Sequence, residues 1–379
     1  LMSKVNSFAN WTDSYSKTLL TIMFYARTTH VTLARLCFVS ITLLLSNAVI
    51  GQETNNTKVL QIERIDPPNW WADMKWNQVQ VLVTGKNLGD VEVTCRNSNA
   101  IEVVKKHSEN DRHLFVDLKI LPTATPRSCT LTFTKEGTSV DVDWAIRKRK
   151  AGNRHLGFDQ KDVVYLITPD RFANAKPEND GVEDLLGEFD PTEHGKRHGG
   201  DLSGIEQKLD YLKDLGITTL WLNPVLENCG VNSYHGYKTT DHYRIDPRFG
   251  TNEEYRSLVD SAHKRNIKVI FDHVSNHIGI RHPWISQLPT ETWLNGSVSN
   301  HLLEKHYLHS IADVHADEET RRELKTFWFV DSMPDLNQQD PFVAKYLIQN
   351  TLWWIEYSGI DGIREDTWPY ADDSFLHAW

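Results

Sequence analysis

The stretch DGIREDTWPY, residues 361–370, places polar and ionisable residues at the end of a strand-like segment. Within it Arg364 and Asp366 stand two apart. Residues i and i+2 of a strand share a face, so this guanidinium and carboxylate project together, each favouring the charged form of the other. An ionised, oriented Asp is what nucleophilic attack on carbon requires. Three further segments have the same build: VVYLITPDRF (163–172), SYHGYKTTDHYRIDPRFG (233–250) and VIFDHVSNH (269–277). They come in the order and at the spacing of strands alternating with helices.

Working outward, an apolar strand at 163–168 leads through a long loop to the amphipathic helix LSGIEQKLDYLKDLG (202–216). TTLWLNP (218–224) then reads as a strand, EEYRSLVDSAHKRN (253–266) as a helix and IKVIFDHV (267–274) as a third strand. PFVAKYLIQNTLWWIEYSG (341–359) is a helix that feeds a fourth strand around 360–366. Alternating strands and helices, with polar residues at the strand C-terminal ends, follow the logic of an α/β (β/α)8 barrel. Residues 278–338 form a long excursion after the third strand. The strand count stops at four, so residues 151–379 read as about the first half of a barrel and the chain as a fragment of a longer protein.

Residues 52–150 differ. VQVLVTG (79–85), VEVTC (91–95), LFVDLKI (114–120) and CTLTFT (129–134) alternate apolar and polar side chains between Gly, Asn, Asp and Pro. This predicts a small antiparallel, immunoglobulin-like β-sandwich. Its entry, PPNWWADMKW (67–76), clusters Trp70, Trp71 and Trp76, either as a sugar-stacking patch or as a plug against the neighbouring domain. RKRKAGNR (147–154) reads as the linker. Before residue 52, Arg27, His30 and Arg35 precede the apolar run LCFVSITLLLSNAVI (36–50) and Gly51. That order reads as a secretory signal peptide behind an upstream extension, with a single uncleaved anchor as the competing reading, and it implies an exported protein, periplasmic or secreted.

The formal net charge of −10 argues against nucleic acid as a partner, because phosphate binding needs clustered positive charge. Of four cysteines, Cys37 leaves with the signal and Cys229 stands alone. Cys95 and Cys129 share the β-rich segment, where a disulfide and two reduced thiols are both open readings.

Taken together, FDHVSNH, GIRED, MPDLN (333–337), ITPDRFAN and RHGGDLSG closely resemble the α-amylase superfamily, glycoside hydrolase family 13. MPDLN and the sandwich entered by PPNWW resemble its neopullulanase and cyclomaltodextrinase branch. The resemblance implies a retaining glycosidase of α-1,4-glucans such as maltodextrin, pullulan or cyclodextrin. Asp366 would be the nucleophile and Arg364 its orienting partner, with His235, Tyr237 and His277 contacting the sugar and Asp272 and Asn276 supporting them. The family's general acid, a Glu ending the fifth strand, would lie beyond Trp379. Glu365 cannot replace it, because the neighbour of Asp366 on a strand faces the other way.

The resemblance further implies a Ca²⁺ site formed by Asn174, Asn179, Asp180, the Gly199 carbonyl and Asp201, weakened by Lys176 where relatives usually carry Asp. It also implies homodimers through the amino-terminal sandwich. The competing reading is a non-catalytic, amylase-like sugar-binding or transporter-associated protein. Intact Asp366, Arg364, His277 and Tyr237 speak against it.

Overall fold

The computed structural model describes residues 59–379 except 97, 98, 153, 184, 186, 188 and 306–308. The signal-like segment and Cys37 lie outside the described residues. Among the described residues no helix is long and apolar enough to cross a membrane.

Eight strands build the amino-terminal sandwich: β1 Gln61–Asp66, β2 Asn69–Trp71, β3 Gln78–Lys86, β4 Glu92–Cys95, β5 Ile101–His107, β6 His113–Ile120, β7 Arg127–Lys135 and β8 Thr138–Arg147. They form two four-stranded sheets, ordered β1-β3-β6-β5 and β2-β8-β7-β4. The period-2 pattern explains the packing. On β7, Cys129, Leu131 and Phe133 turn inward and are fully buried, while the threonines between them are half-buried. Sequence patterning missed β1, β2, β5 and β8. The exposed side chains of β5 and β8 are charged or polar at nearly every second position, which weakens their apolar signal.

The second half is built on four parallel strands in sequential order: β9 Val164–Ile167, β10 Thr219–Leu222, β13 Lys268–His273 and β14 Gly362–Glu365. This is the arrangement expected of successive βα units. The hairpin β11 Leu226–Asn228 and β12 Thr239–Ile245 intervenes. The helices are α1 Leu202–Gln207, α2 Leu209–Asp214, α3 Asn252–His263, α4 His309–Ala312, α5 Glu318–Leu324, α6 Pro341–Ser358 and α7 Asp373–Ala378. The single helix expected over 202–216 is broken at Lys208, where the backbone reaches φ −99 and ψ 4. Ile205, Leu209 and Leu212 nevertheless all face the core.

Caps define the helix ends. At α3 the Thr251 side chain accepts the Glu254 N–H, and the Glu254 carboxylate accepts the Thr251 N–H, forming a reciprocal capping box. α6 starts on the Asp340 cap with Pro341 in its first turn, and it stops at Gly359, whose φ of 85 suits a residue without a Cβ.

α6 also joins the two halves. The Gln349 amide donates to the Gln80 carbonyl at 2.7 Å and accepts the Gln80 N–H at 2.8 Å, extending the β3 hydrogen-bond row with a side chain. Phe342 stacks on His107 at 4.6 Å and on Phe115 at 4.4 Å. Trp71 packs against Trp353, and Trp70 and Trp71 are buried. The pair at the sandwich entry is therefore a plug. Trp76 remains 38 % exposed. Arg64 of β1 forks onto both carboxylate oxygens of Asp241 in β12.

Two predictions follow from this seam. Trp353 is buried against Tyr357 at 4.5 Å and touches Tyr243 and Trp354, so Trp353→Ala should cost about 3–5 kcal/mol in urea unfolding. Its loss should lower the stability of sandwich and barrel together. Beneath Arg64, burial pushes His242 down to about 3, with Arg64 and His273 adding to the fall and Asp241 opposing it. His282, beside it, is likewise held well below the usual range by burial. A neutral native histidine contributes stability above its unfolded value of about 6.5 and loses it as pH falls. His242→Phe, which keeps the stack on Trp284, should therefore gain stability relative to the parent between pH 7 and 4.5, measured by denaturant unfolding at both.

Candidate active site

Strand register brings the candidate residues together. β13 and β14 pair with Asp272 opposite Arg364 and His273 opposite Glu365. Arg364 Nη1 donates to Asp272 Oδ1 at 2.9 Å and to Asp366 Oδ1 at 2.5 Å. Asp272 Oδ2 accepts from Tyr237 Oη at 3.0 Å and from Trp221 Nε1 at 2.8 Å. Burial works against charge on Arg364, but Asp272 and Asp366 more than offset it and hold the guanidinium firmly ionised. Burial also pushes Asp272 up to about 6, against the pull of Trp221 and Arg364 and with the help of Asp366. The guanidinium lies 5.2 Å from the Trp221 ring and 5.8 Å from the Tyr237 ring, within cation–π range.

The opposite alternation of β14 disposes of Glu365. Its carboxylate accepts from His273 Nδ1 at 2.6 Å and from Ser275 Oγ, while His273 Nε2 meets Thr351 of α6 at 3.1 Å. It therefore faces the helix layer, away from Asp366.

His235 and Tyr237 flank Gly236, where φ is 89 and an added Cβ would lie 2.1 Å from the Pro224 carbonyl oxygen. Only glycine fits there. The Tyr237 N–H donates to His235 Nδ1 at 3.0 Å, which leaves the proton of neutral His235 on Nε2. Burial, aided by Lys238 and His277, pushes His235 down to about 4, so it is neutral at pH 7. His277 Nε2 donates to the Tyr237 carbonyl at 3.1 Å, and its buried Nδ1 has no partner. Burial lowers His277 too, although Asp366 opposes the shift.

Asn276 points elsewhere. Its amide donates to Asp335 Oδ1 at 2.9 Å, and Asn295 donates to the other oxygen at 2.8 Å. Asp335 belongs to MPDLN, and backbone bridges His277↔Asp335 and Leu294↔Leu336 fold the 278–338 excursion back onto the β13 loop. Trp221 and Asp335 were not singled out by sequence reasoning. Alternation along TTLWLNP places Trp221 on the face opposite Leu220 and Leu222, a signal that was present but unread.

The five proposed cation ligands divide. Asn174 Nδ2 donates to Asp180 Oδ1 at 2.8 Å, and a Cβ on Gly199 would lie 2.3 Å from that oxygen, so Asn174, Asp180 and Gly199 are together. The buried Asn179 Oδ1 has no partner. Asp201 caps α1 through the Gly204 N–H at 2.6 Å and accepts the Ala175 and Lys176 N–H groups at 2.9 and 2.8 Å. Burial, and the charges of Asp201, Asp170 and Glu178, push the Asp180 carboxyl up against the Asn174 bond. The Lys176 ammonium is drawn off to Glu254. Among the described residues no three His, Cys, Asp or Glu side chains are grouped to hold a metal, so any such site rests on Asn and backbone oxygens as well. Asn174 and Asp180 beside Gly199, with the Asn179 Oδ1 left without a partner, are oxygen donors of the kind a hard cation takes.

Residues 166–375 match the family model of the α-amylase catalytic domain, and residues 64–150 match that of the cyclomaltodextrinase N-terminal domain. Neopullulanase 2 of Thermoactinomyces vulgaris is 37 % identical over 216 residues, which is 56 % of this chain and 35 % of that protein. An intracellular maltogenic amylase of Bacillus subtilis is 37 % identical over 215 residues, 56 % of this chain and 34 % of that protein. The chain thus spans about a third of the length of these curated relatives. An α-amylase from Geobacillus thermoleovorans, solved with acarbose, superposes with a TM-score of 0.46 at 36 % identity, covering 58 % of this chain and 43 % of that one.

The relative named as intracellular overturns the export expected from the signal-like segment. The family model spans more than half of the sequence and contains the whole Arg364–Asp366–Asp272–Tyr237 cluster, and the chain belongs to the α-amylase catalytic-domain family.

Proposed function

We propose that the protein of which this chain is part is a retaining glycoside hydrolase acting on α-1,4-linked glucans such as maltodextrin, pullulan or cyclodextrin. The observation that carries this reading is the single guanidinium nitrogen of Arg364 held between Asp366 and Asp272 at the C-terminal ends of adjacent parallel strands. In the first step Asp366 attacks the anomeric carbon and forms a glycosyl ester as the bond to the leaving glucan breaks. Water then cleaves the ester. Tyr237 offers a flat ring to the reacting sugar, and the Nε2–H of neutral His235 donates to a hydroxyl. Asp272, which accepts from Trp221, Tyr237 and Arg364, holds those donors in place rather than delivering a proton. The second carboxyl group that protonates the leaving oxygen is supplied from outside the residues described.

The binding-protein alternative lacks a reason to keep a guanidinium locked between two carboxylates. The same cluster also serves transfer to a sugar acceptor in place of water. Homodimers through the sandwich rest on the branch resemblance.

Asn174, Asn179, Asp180, the Gly199 carbonyl and Asp201 would hold Ca²⁺. The ion would neutralise the crowded carboxylates and pin the loop after β9 beneath α1. Lys176, paired with Glu254, is the counterweight. Added Ca²⁺ should raise the melting temperature, Asp180→Asn should remove that rise, and Lys176→Ala should enlarge it. A melting temperature indifferent to Ca²⁺ in all three forms would reject the site.

A test of the nucleophile does not need the general acid, because fluoride is a good leaving group. Incubated with a 5-fluoro-α-glucosyl fluoride, the chain should become esterified at Asp366, read by peptide mass mapping, and Asp366→Asn should stay unlabelled. Arg364→Lys should slow labelling roughly 10- to 100-fold, the worth of a charge-assisted hydrogen bond of about 1.5–3 kcal/mol. Labelling at another residue would sink the assignment.

A further inference from the structure

In the sandwich, β4 is the edge strand of its sheet and Cys95 is its last residue. β4 pairs with β7 so that Cys95 faces Leu131, which makes Cys129 its diagonal neighbour on the same inward face. The two thiols are in hydrogen-bond contact, and neither is part of a disulfide. Cys129 is fully buried, whereas Cys95 is partly exposed at the end of its strand. Cys229 lies beyond β11, in the other half of the molecule.

We propose that Cys95 and Cys129 form an oxidation site, a dithiol that small-molecule disulfides of the glutathione class convert into a cross-strand bond. The site is independent of the glycosidase reading. Cys95, the accessible partner, gives its proton to solvent, and its thiolate attacks one sulfur of the incoming disulfide. That S–S bond breaks and one thiolate leaves. The Cys129 sulfur then attacks Cys95 in the mixed disulfide, loses its proton and expels the second small thiol. Two protein thiols are oxidised by two electrons as one small disulfide is reduced to two thiols. Burial and the adjoining Cys95 push the Cys129 thiol up to about 11, which keeps it from acting first and makes the second step the slow one.

Closing the bond draws the sulfurs from contact to about 2 Å, a movement the end of an edge strand can absorb. Between the two cysteines the chain leaves this sheet, runs through β5 and β6 of the opposite sheet and returns on β7. A link at this point closes that whole excursion into a loop and removes freedom from the unfolded chain.

The chain is treated with oxidised glutathione, blocked with iodoacetamide and mapped without reduction. A Cys95–Cys129 linked peptide and an upward shift in Tm, reversed by dithiothreitol, are expected. Cys129→Ser should stop at a glutathione adduct on Cys95 without the Tm shift, and Cys95→Ala should show neither adduct at the pair nor shift. A parent chain that stops at the mixed disulfide, links either cysteine to another partner, or leaves both thiols alkylated overturns the proposal.

Discussion

One guanidinium nitrogen shared by two carboxylates governs the candidate site. Asp272 and Asp366 sit at the ends of neighbouring strands, and without Arg364 between them their charges would repel in a partly desolvated space. The cation fixes the direction of both carboxylates and is itself fixed by the Trp221 and Tyr237 faces. Removing the cation would leave buried charge uncompensated, which costs far more than the net worth of the pair. The cluster therefore stands or falls as a unit, and the hydroxyl of Tyr237 belongs to it through Asp272.

The sandwich contributes to that unit at one remove. β12 begins two residues after Tyr237, and its position is held from two sides. Arg64 of the sandwich grips Asp241, while Asn350 and Trp354 of α6 donate to the His242 carbonyl at 2.6 and 2.8 Å. Since α6 also bonds the Gln80 backbone of β3 through Gln349, the helix that precedes β14 is tied to both domains. The amino-terminal domain is thus part of the frame that holds the strand following Tyr237, in addition to its own packing.

Much of this was legible in the residues. Period-2 spacing placed Arg364 with Asp366 and Glu365 on the reverse face, because a strand admits no other arrangement. β9, β10 and β13 were readable as apolar runs, and β14, with little apolar content of its own, through the long helix that feeds it. What escaped depends on partners distant in sequence. Trp221 looks like an ordinary core residue until Asp272, 51 positions away, is seen to accept its indole N–H. Asp335 reads as a turn residue until Asn276 and Asn295 close on it. Lys208 breaks a helix whose apolar spacing continues without interruption, so periodicity could not mark the break. β5 and β8 were hidden because their outward faces are crowded with charge.

The outward turn of Glu365 has a consequence for evolution and for engineering. Consecutive acids at the end of β14 are assigned to opposite sides by how that strand is aligned with β13. Sliding β14 by one position would turn Glu365 to the face of Asp272 and carry Arg364 and Asp366 to the side of His273 and Ser275. An insertion or deletion between Gly359 and Arg364 would therefore change which acid shares a face with Asp272. Alignment of these two strands is as much a determinant of chemistry as the identity of any side chain on them.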